Sequence, residues 1–183
     1  MRIANVSTPA QLFHILRRQG LDKVKKPLVL FTPKALLRHP LVVSAPEEFE
    51  KMEFQTILDD PTSPAQAKTL ILCSGKIYYD LFSERANRKL EKDYALVRVE
   101  MLYPFDENKA KELLAKYQAP RVLWAQEEHA NMGAYSYLRP KFEKLLDNRP
   151  LSYAGRAESA APAAGSHKLH KKQFQSILEQ VFL

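Results

Sequence analysis

The apolar positions of this chain fall into two kinds of pattern. Leu70-Ile71-Leu72-Cys73 and Val122-Leu123-Trp124 are short continuous runs bounded by polar residues, the pattern of parallel strands buried on both faces. Other stretches repeat with helical spacing. Ile77, Tyr78, Leu81, Phe82 and Leu90 mark one broad face, and Ala110, Leu113, Leu114 and Tyr117 recur at i, i+3, i+4 and i+7 behind Asp106, a natural N-cap. Strands are therefore expected at Thr69–Cys73, Ala95–Val99, Arg121–Gln126 and Leu151–Ala154. Helices are expected after the Ser74-Gly75 turn, after Asp106, over residues 134–146 and from Ser166 to Leu183, with Pro140 kinking or splitting the third. That alternation predicts an α/β fold with helices covering both faces of its sheet.

The first third of the chain is patterned differently. Thr8-Pro9-Ala10-Gln11 reads as a capping box with proline at the first helical position, opening a helix over residues 8–20 whose stripe is Leu12, Phe13, Ile15 and Leu16. Gly20 is its expected stop. A basic linker, Asp22–Lys26, leads to Pro27, and this is the expected domain boundary. Leu28-Val29-Leu30-Phe31 reads as a buried strand, followed by a short helical or irregular segment that Pro40 ends. Residues 41–69, with Pro46, Pro61 and Pro64, read as a long surface excursion carrying a short strand at Phe54–Leu58.

Composition narrows the class. The 183 residues, 45% hydrophobic and 27% charged, suit one domain or one domain plus part of a neighbour. No apolar run approaches the ~20 residues of a membrane span. The N-terminal stretch lacks the apolar core of a secretory signal, and helix-start chemistry so close to Met1 suits a chain begun inside a longer protein. The lone Cys73 excludes an internal disulfide and reads as a small buried hydrophobe. The net charge of +7 admits a polyanion partner, but the cations are scattered. The densest groups, Lys23/Lys25/Lys26 and Lys168/Lys171/Lys172, read as solvated faces.

Few residues suggest chemistry. Gln126-Glu127-Glu128-His129 follows a strand, where α/β proteins keep functional loops, and two carboxylates beside a histidine can serve acid–base catalysis. Adjacent residues at a strand end point apart, which weakens that reading. Ser74-Gly75-Lys76 sits where a helix N-terminus can seat an anion, without the full phosphate-loop spacing. Lys34, Arg38 and His39 form a candidate anion or ion-pair cluster. His167 and His170, three apart, lack a third metal ligand nearby.

An ordered set of segments carries a resemblance. The segments are Thr8-Pro9 with Phe13–Gln19, Lys26-Pro27-Leu28 with Phe31–Lys34, and Leu36–Pro40. Cys73–Leu81 follows, then Arg98-Val99-Glu100 with Leu102–Phe105, and Trp124–Glu128 with Asn131 and Gly133. Tyr153–Arg156 and Ala161-Pro162-Ala163 with Gly165, Ser166 and His170 close the series. In this order they resemble the C-terminal end of the E1 component of 2-oxoglutarate dehydrogenases, over almost the whole chain. Residues 44–67 match poorly, and His129 stands where proline or lysine often follows the two glutamates.

The resemblance implies a three-layer α/β/α domain like the C-terminal domain of transketolases, with a mostly parallel mixed sheet over residues 27–183. Residues 1–26 would be the tail of the preceding pyrimidine-binding domain and its linker. The parent would oxidatively decarboxylate 2-oxoglutarate on thiamine diphosphate with magnesium and succinylate the lipoyl group of its E2 partner, in the tricarboxylic acid cycle. Its compartment would be the bacterial cytoplasm or the mitochondrial matrix. The cofactor motifs of such proteins lie upstream, so no catalytic, cofactor or metal residue is expected in this stretch. Its expected partners are the remaining E1 domains, a second E1 protomer and E2, with no nucleic acid and no membrane. Interface anchors are expected among Tyr78-Tyr79 and Tyr135–Tyr137, and Lys34, Arg38 and Arg156 are expected to hold an effector anion. Glu127 and Glu128 remain interface or effector candidates. Two other readings predict different behaviour: a small free-standing α/β enzyme using Glu127, Glu128 and His129, and a basic nucleic-acid-binding domain.

Overall fold

The structure is a computed structural model that describes residues 1–62, 66–147 and 149–183. In chain order the described residues form β1 (Arg2–Ala4), α1 (Pro9–Leu21), β2 (Leu28–Leu30), a 3-10 turn (Lys34–Arg38), α2 (Pro46–Glu50), β3 (Ile57–Leu58) and β4 (Thr69–Cys73). These are followed by α3 (Ile77–Asn87), β5 (Tyr94–Val99), β6 (Met101–Tyr103), α4 (Glu107–Tyr117), β7 (Arg121–His129), α5 (Tyr135–Leu145), β8 (Ser152–Arg156) and α6 (His167–Val181).

The main sheet has the order β3-β5-β4-β7-β8. β5, β4, β7 and β8 run parallel, and β3 is antiparallel at one edge. The apolar runs read as interior strands lie at its centre: every residue of β4 is buried. Alternate side chains serve opposite layers. Leu70, Leu72, Val97 and Trp124 pack with Ala110, Leu113, Leu138 and Phe142 of α4 and α5. Ile71, Cys73, Leu96 and Leu123 pack with α3 and with Ile177, Leu178 and Val181 of α6. This is the three-layer α/β/α arrangement with a mostly parallel mixed sheet. Truncating a central side chain such as Leu72 or Leu96, both 2% exposed or less, costs about 2–5 kcal/mol.

The local start signals hold because they need only neighbours in sequence. Thr8 Oγ1 accepts from Gln11 N, Asp106 Oδ1 from Lys109 N and Ser166 Oγ from Leu169 N. The capping box is only half made. Gln11 instead exchanges two hydrogen bonds with the backbone of Gln55, at 2.6 and 3.0 Å. The α1 helix runs one residue past Gly20, to Leu21. Pro140 neither splits nor ends α5. Pro140 and Ser136 are both exposed, so the carbonyl that proline leaves without an amide partner lies on the solvent side.

A second, three-stranded sheet, β2-β1-β6, was not foreseen. β1 pairs parallel with β2 and antiparallel with β6. β2 is therefore an edge strand, not the buried strand its composition suggests: Val29 is 44% and Phe31 49% exposed. The reason is non-local. A four-residue apolar run cannot report whether a partner strand covers its outer side. The 41–69 segment carries α2 and β3 on its described residues, while Pro64 lies outside them.

Two buried polar clusters join the parts. Asp60, on the supposed surface excursion, is 2% exposed and forms an ion pair with Arg85 of α3, 1% exposed. Its carboxylate also accepts from Leu96 N at 2.7 Å and from Thr62. Between the two sheets, Glu100 (0% exposed) accepts from the amide and hydroxyl of Ser7, and Arg98 donates to Ser7 Oγ. Tyr79 Oη donates to Ser7 O at 2.7 Å. Residues 1–26 are thus stitched to strands and helices much later in the chain.

Candidate functional site

In an open α/β sheet, ligand clefts form outside the carboxyl ends of strands where the chain changes winding direction. Here the chain leaves β4 for β5 on one side, then crosses back to β7 on the other. At that point a cleft of about 740 Å³ opens between the two sheets. Asn5 and Ser74 reach it just beyond β1 and β4, and Gln126 and Glu128 from the carboxyl-terminal part of β7, while Ile3, Phe31, Leu102, Tyr103, Trp124 and Tyr137 make its walls apolar. Tyr103 and Tyr137 meet edge to face at 6.2 Å on the rim, 43% and 39% exposed.

Two glycines permit this geometry. Gly75 has φ +69°, and a Cβ there would lie 2.4 Å from the Asn5 side chain. Gly133 has φ +67°, and a Cβ would sit 2.9 Å from Gln126 Oε1. Gln126 is a scaffold rather than a free ligand. Its Oε1 accepts from Trp124 Nε1 (2.9 Å) and Tyr135 N (3.2 Å), and its Nε2 donates to the carbonyls of His129 and Met132. Asn131 exchanges two hydrogen bonds with the Ser159 backbone and fastens the neighbouring loop. Asn5 Oδ1 is buried without a hydrogen-bond partner among the described residues.

The run Glu127-Glu128-His129 does not converge. Glu127 pairs with Lys76 Nζ at 3.2 Å on the α3–α6 side. Glu128 is exposed and lines the apolar cleft. His129 is buried, its Nδ1 2.7 Å from Ala157 O. Three neighbourhoods for three side chains give no acid–base pair. Ser74-Gly75-Lys76 is no anion cradle either, because Lys76 is also paired with Asp80 at 2.6 Å. Burial pulls the Lys76 ammonium down, but the hydrogen bonds and charges of Asp80 and Glu127 outweigh it and hold it above its ordinary range.

The remaining candidates separate. Lys34 and Arg38 are exposed on the 3-10 turn, and His39 packs on Tyr79 at 5.2 Å. Arg156 is 9% exposed and lies beside a different concavity, of about 330 Å³, which neither Lys34 nor Arg38 lines. Its Nη2 is 2.8 Å from His170 Nδ1. Tyr78 and Tyr79, each 4% exposed, are core residues here, Tyr78 lying under the Arg98 guanidinium at 3.9 Å. Tyr135 lies tilted against Tyr153 at 4.5 Å, leaving Tyr137 as the exposed member of that group. Cys73 is fully buried, and burial pushes its thiol up to about 12.

The described residues do not fit a diphosphate held with magnesium. They contain no group of three or more His, Cys, Asp or Glu able to hold a metal ion, and the large cleft presents one carboxylate, Glu128, on apolar walls. No helix among them is long and apolar enough to cross a membrane. Sequence reading missed Asn5, Asp60, Arg85, Glu100 and Gln173. The strand-end segments Ser74-Gly75-Lys76 and Gln126–His129 gave the signal of the cleft, through Ser74, Gln126 and Glu128.

Comparison with known proteins adds to this geometry. A family model described as 2-oxoglutarate dehydrogenase C-terminal matches residues 43–182. The mitochondrial 2-oxoglutarate dehydrogenase of Caenorhabditis elegans is 42% identical over 187 residues, covering 98% of this chain and 18% of that protein. A mitochondrial 2-oxoglutarate dehydrogenase-like protein of Rattus norvegicus is 43% identical, with the same coverage. The 2-oxoglutarate dehydrogenase E1 component of Haemophilus influenzae is 42% identical over 98% of this chain and 20% of its own length. The chain thus spans about a fifth of the length of these relatives.

Proposed function

The chain belongs to the family of 2-oxoglutarate dehydrogenase C-terminal regions, and on that premise we propose that it is a non-catalytic assembly domain of an E1 component. It packs against the remaining E1 domains and a second protomer, and the decarboxylation of 2-oxoglutarate and succinylation of E2 take place in the larger protein. Thiamine diphosphate and magnesium belong to that larger protein, in a mitochondrial matrix or bacterial cytoplasm.

One observation carries the reading: the small sheet is open at β2. Its outer edge has no partner strand among the described residues, and Val29 and Phe31 are half exposed beside it. An unprotected apolar edge is avoided in proteins that present it to water. Phe13 and Leu16 of α1, 44% and 51% exposed, and the Tyr103/Tyr137 rim add to the uncovered apolar surface. Some four-fifths of the relatives' length lies outside this chain and supplies the matching occupant. We place residues 1–26 as the tail of the preceding domain, docked through Ser7.

The test is reconstitution. The preceding part of such an E1 and this chain are produced separately and mixed. Sedimentation is expected to show a stable complex, and 2-oxoglutarate-dependent turnover is expected only from the mixture. Turnover by this chain alone, or failure of the two parts to associate, would remove the proposal.

A further inference from the structure

Arg156, the last residue of β8, poses a problem that its fold does not solve. It is 9% exposed, yet no carboxylate lies within ion-pairing distance among the described residues. Its one side-chain hydrogen bond goes to the His170 imidazole, at 2.8 Å. That contact uses the neutral ring as acceptor and brings no compensating charge. Arg156 Nε is buried with no acceptor among the described residues. A buried guanidinium left in this state is destabilising unless an anion completes it.

A second orphan shares the same wall. Gln173 Oε1, on α6, is buried with no donor among the described residues. Arg156 and Gln173 both line the 330 Å³ concavity between the end of β8 and α6, together with Ser159 and Ser176. Glu158 also lines it and does not pair with the guanidinium. The two orphans have opposite needs: Nε–H requires an acceptor, and Oε1 requires a donor. A simple carboxylate or sulfate satisfies only the first.

We propose that this concavity is a binding site for a small oxyanion that carries a hydroxyl on or next to its anionic group. The anionic oxygen accepts from Arg156 Nε, and the hydroxyl donates to Gln173 Oε1. Hydrogen phosphate and a 2-hydroxycarboxylate both have this chemistry. The site is independent of the assembly reading, since it uses neither β2 nor the apolar cleft.

Calorimetry on the 183-residue chain, with matched probe pairs, tests it. Phosphate is compared with sulfate, and malate with succinate, each pair differing in the hydroxyl. At least one hydroxyl-bearing member is expected to bind tenfold or more tightly than its partner, and which pair responds identifies the source of the anion. Arg156→Gln is expected to abolish binding. Gln173→Leu keeps the guanidinium and is expected to erase the difference within the responding pair while leaving residual anion binding. Thermal melts confirm that each variant is folded, and Gln173→Leu carries the test if Arg156→Gln is not. No binding by any probe, equal binding within both pairs, or binding unchanged by Gln173→Leu would overturn the proposal.

Discussion

Replacing Asp60 by asparagine keeps the shape of the side chain and removes its charge. The carboxylate is surrounded by donors: two nitrogens of Arg85, the amides of Leu96 and Thr62, and the Thr62 hydroxyl. An asparagine has one acceptor oxygen, so its NH2 must face a donor, and Arg85, 1% exposed, loses its counter-charge. Breaking a buried pair in this way costs about 3–5 kcal/mol. With a urea m-value of about 2 kcal/mol/M for a chain of this size, the midpoint falls by roughly 1.5–2.5 M. Removing both partners with Asp60→Leu and Arg85→Met leaves no stranded charge, only the neutral groups Leu96 N, Thr62 and Tyr94 O that lose a partner, and the double variant is expected to be clearly more stable than the two single costs summed. Acid has a defined effect as well. Burial raises the Asp60 carboxyl, but the Arg85 hydrogen bond, Leu96 N and Thr62 outweigh it and hold it below the ordinary carboxylate range. A depressed folded value gives stability that is present above the unfolded value and lost as pH falls through the folded one. The gap between parent and Asp60→Asn therefore narrows below about pH 4. A single-variant cost under about 1 kcal/mol, or a double variant as unstable as the two singles summed, would refute the argument.

Glu100 has the opposite sign. Burial raises its carboxyl more than Arg98 and Ser7 lower it, so the folded protein takes up the proton before the unfolded one does, and the parent should gain stability relative to Glu100→Gln as pH falls toward the ordinary carboxylate value of about 4.3. A flat or reversed difference in chemical denaturation would contradict this. Gly133→Ala should destabilise by about 1–2 kcal/mol, because φ is +67° and the new Cβ crowds Gln126. Gly20→Ala, with nothing within 4 Å of its Cβ, should instead stabilise by about 0.5–1 kcal/mol in the same urea titration. Cys73, its thiol pushed up to about 12, should react with a thiol reagent only at the rate of global unfolding, followed by mass spectrometry. Val29→Lys should reduce self-association of the chain in sedimentation while leaving its melting temperature within a few degrees.

What could be read in advance was what depends on near neighbours or on burial from both sides. The caps Thr8, Asp106 and Ser166 act on amides three residues away, and the central strands carry unbroken apolar runs because both faces are covered. What could not be read was non-local. Three-residue β1 exists only because β2 and β6 flank it. Leu28–Leu30 has the composition of an interior strand and the position of an edge. Asp60 and Arg85 are separated by 25 residues, and Ser7 and Glu100 by 93, so the three charged residues and the serine look like ordinary surface residues in sequence. The site candidates divide the same way. Glu127, Glu128 and His129 are adjacent along the strand yet enter three environments, while Arg156 and Gln173 come to line one concavity only through the packing of α6 on β8.

Hydrogen exchange at Leu28–Leu30 tests the central claim most directly. If β2 is the dock for the rest of an E1 component, the amides on its open edge exchange at near loop rates in this chain alone. In the reconstituted or full-length protein they should be slowed by a hundredfold or more, with Val29 buried. Equal, fast exchange in both would mean that β2 remains an exposed edge, and the docking account would fail.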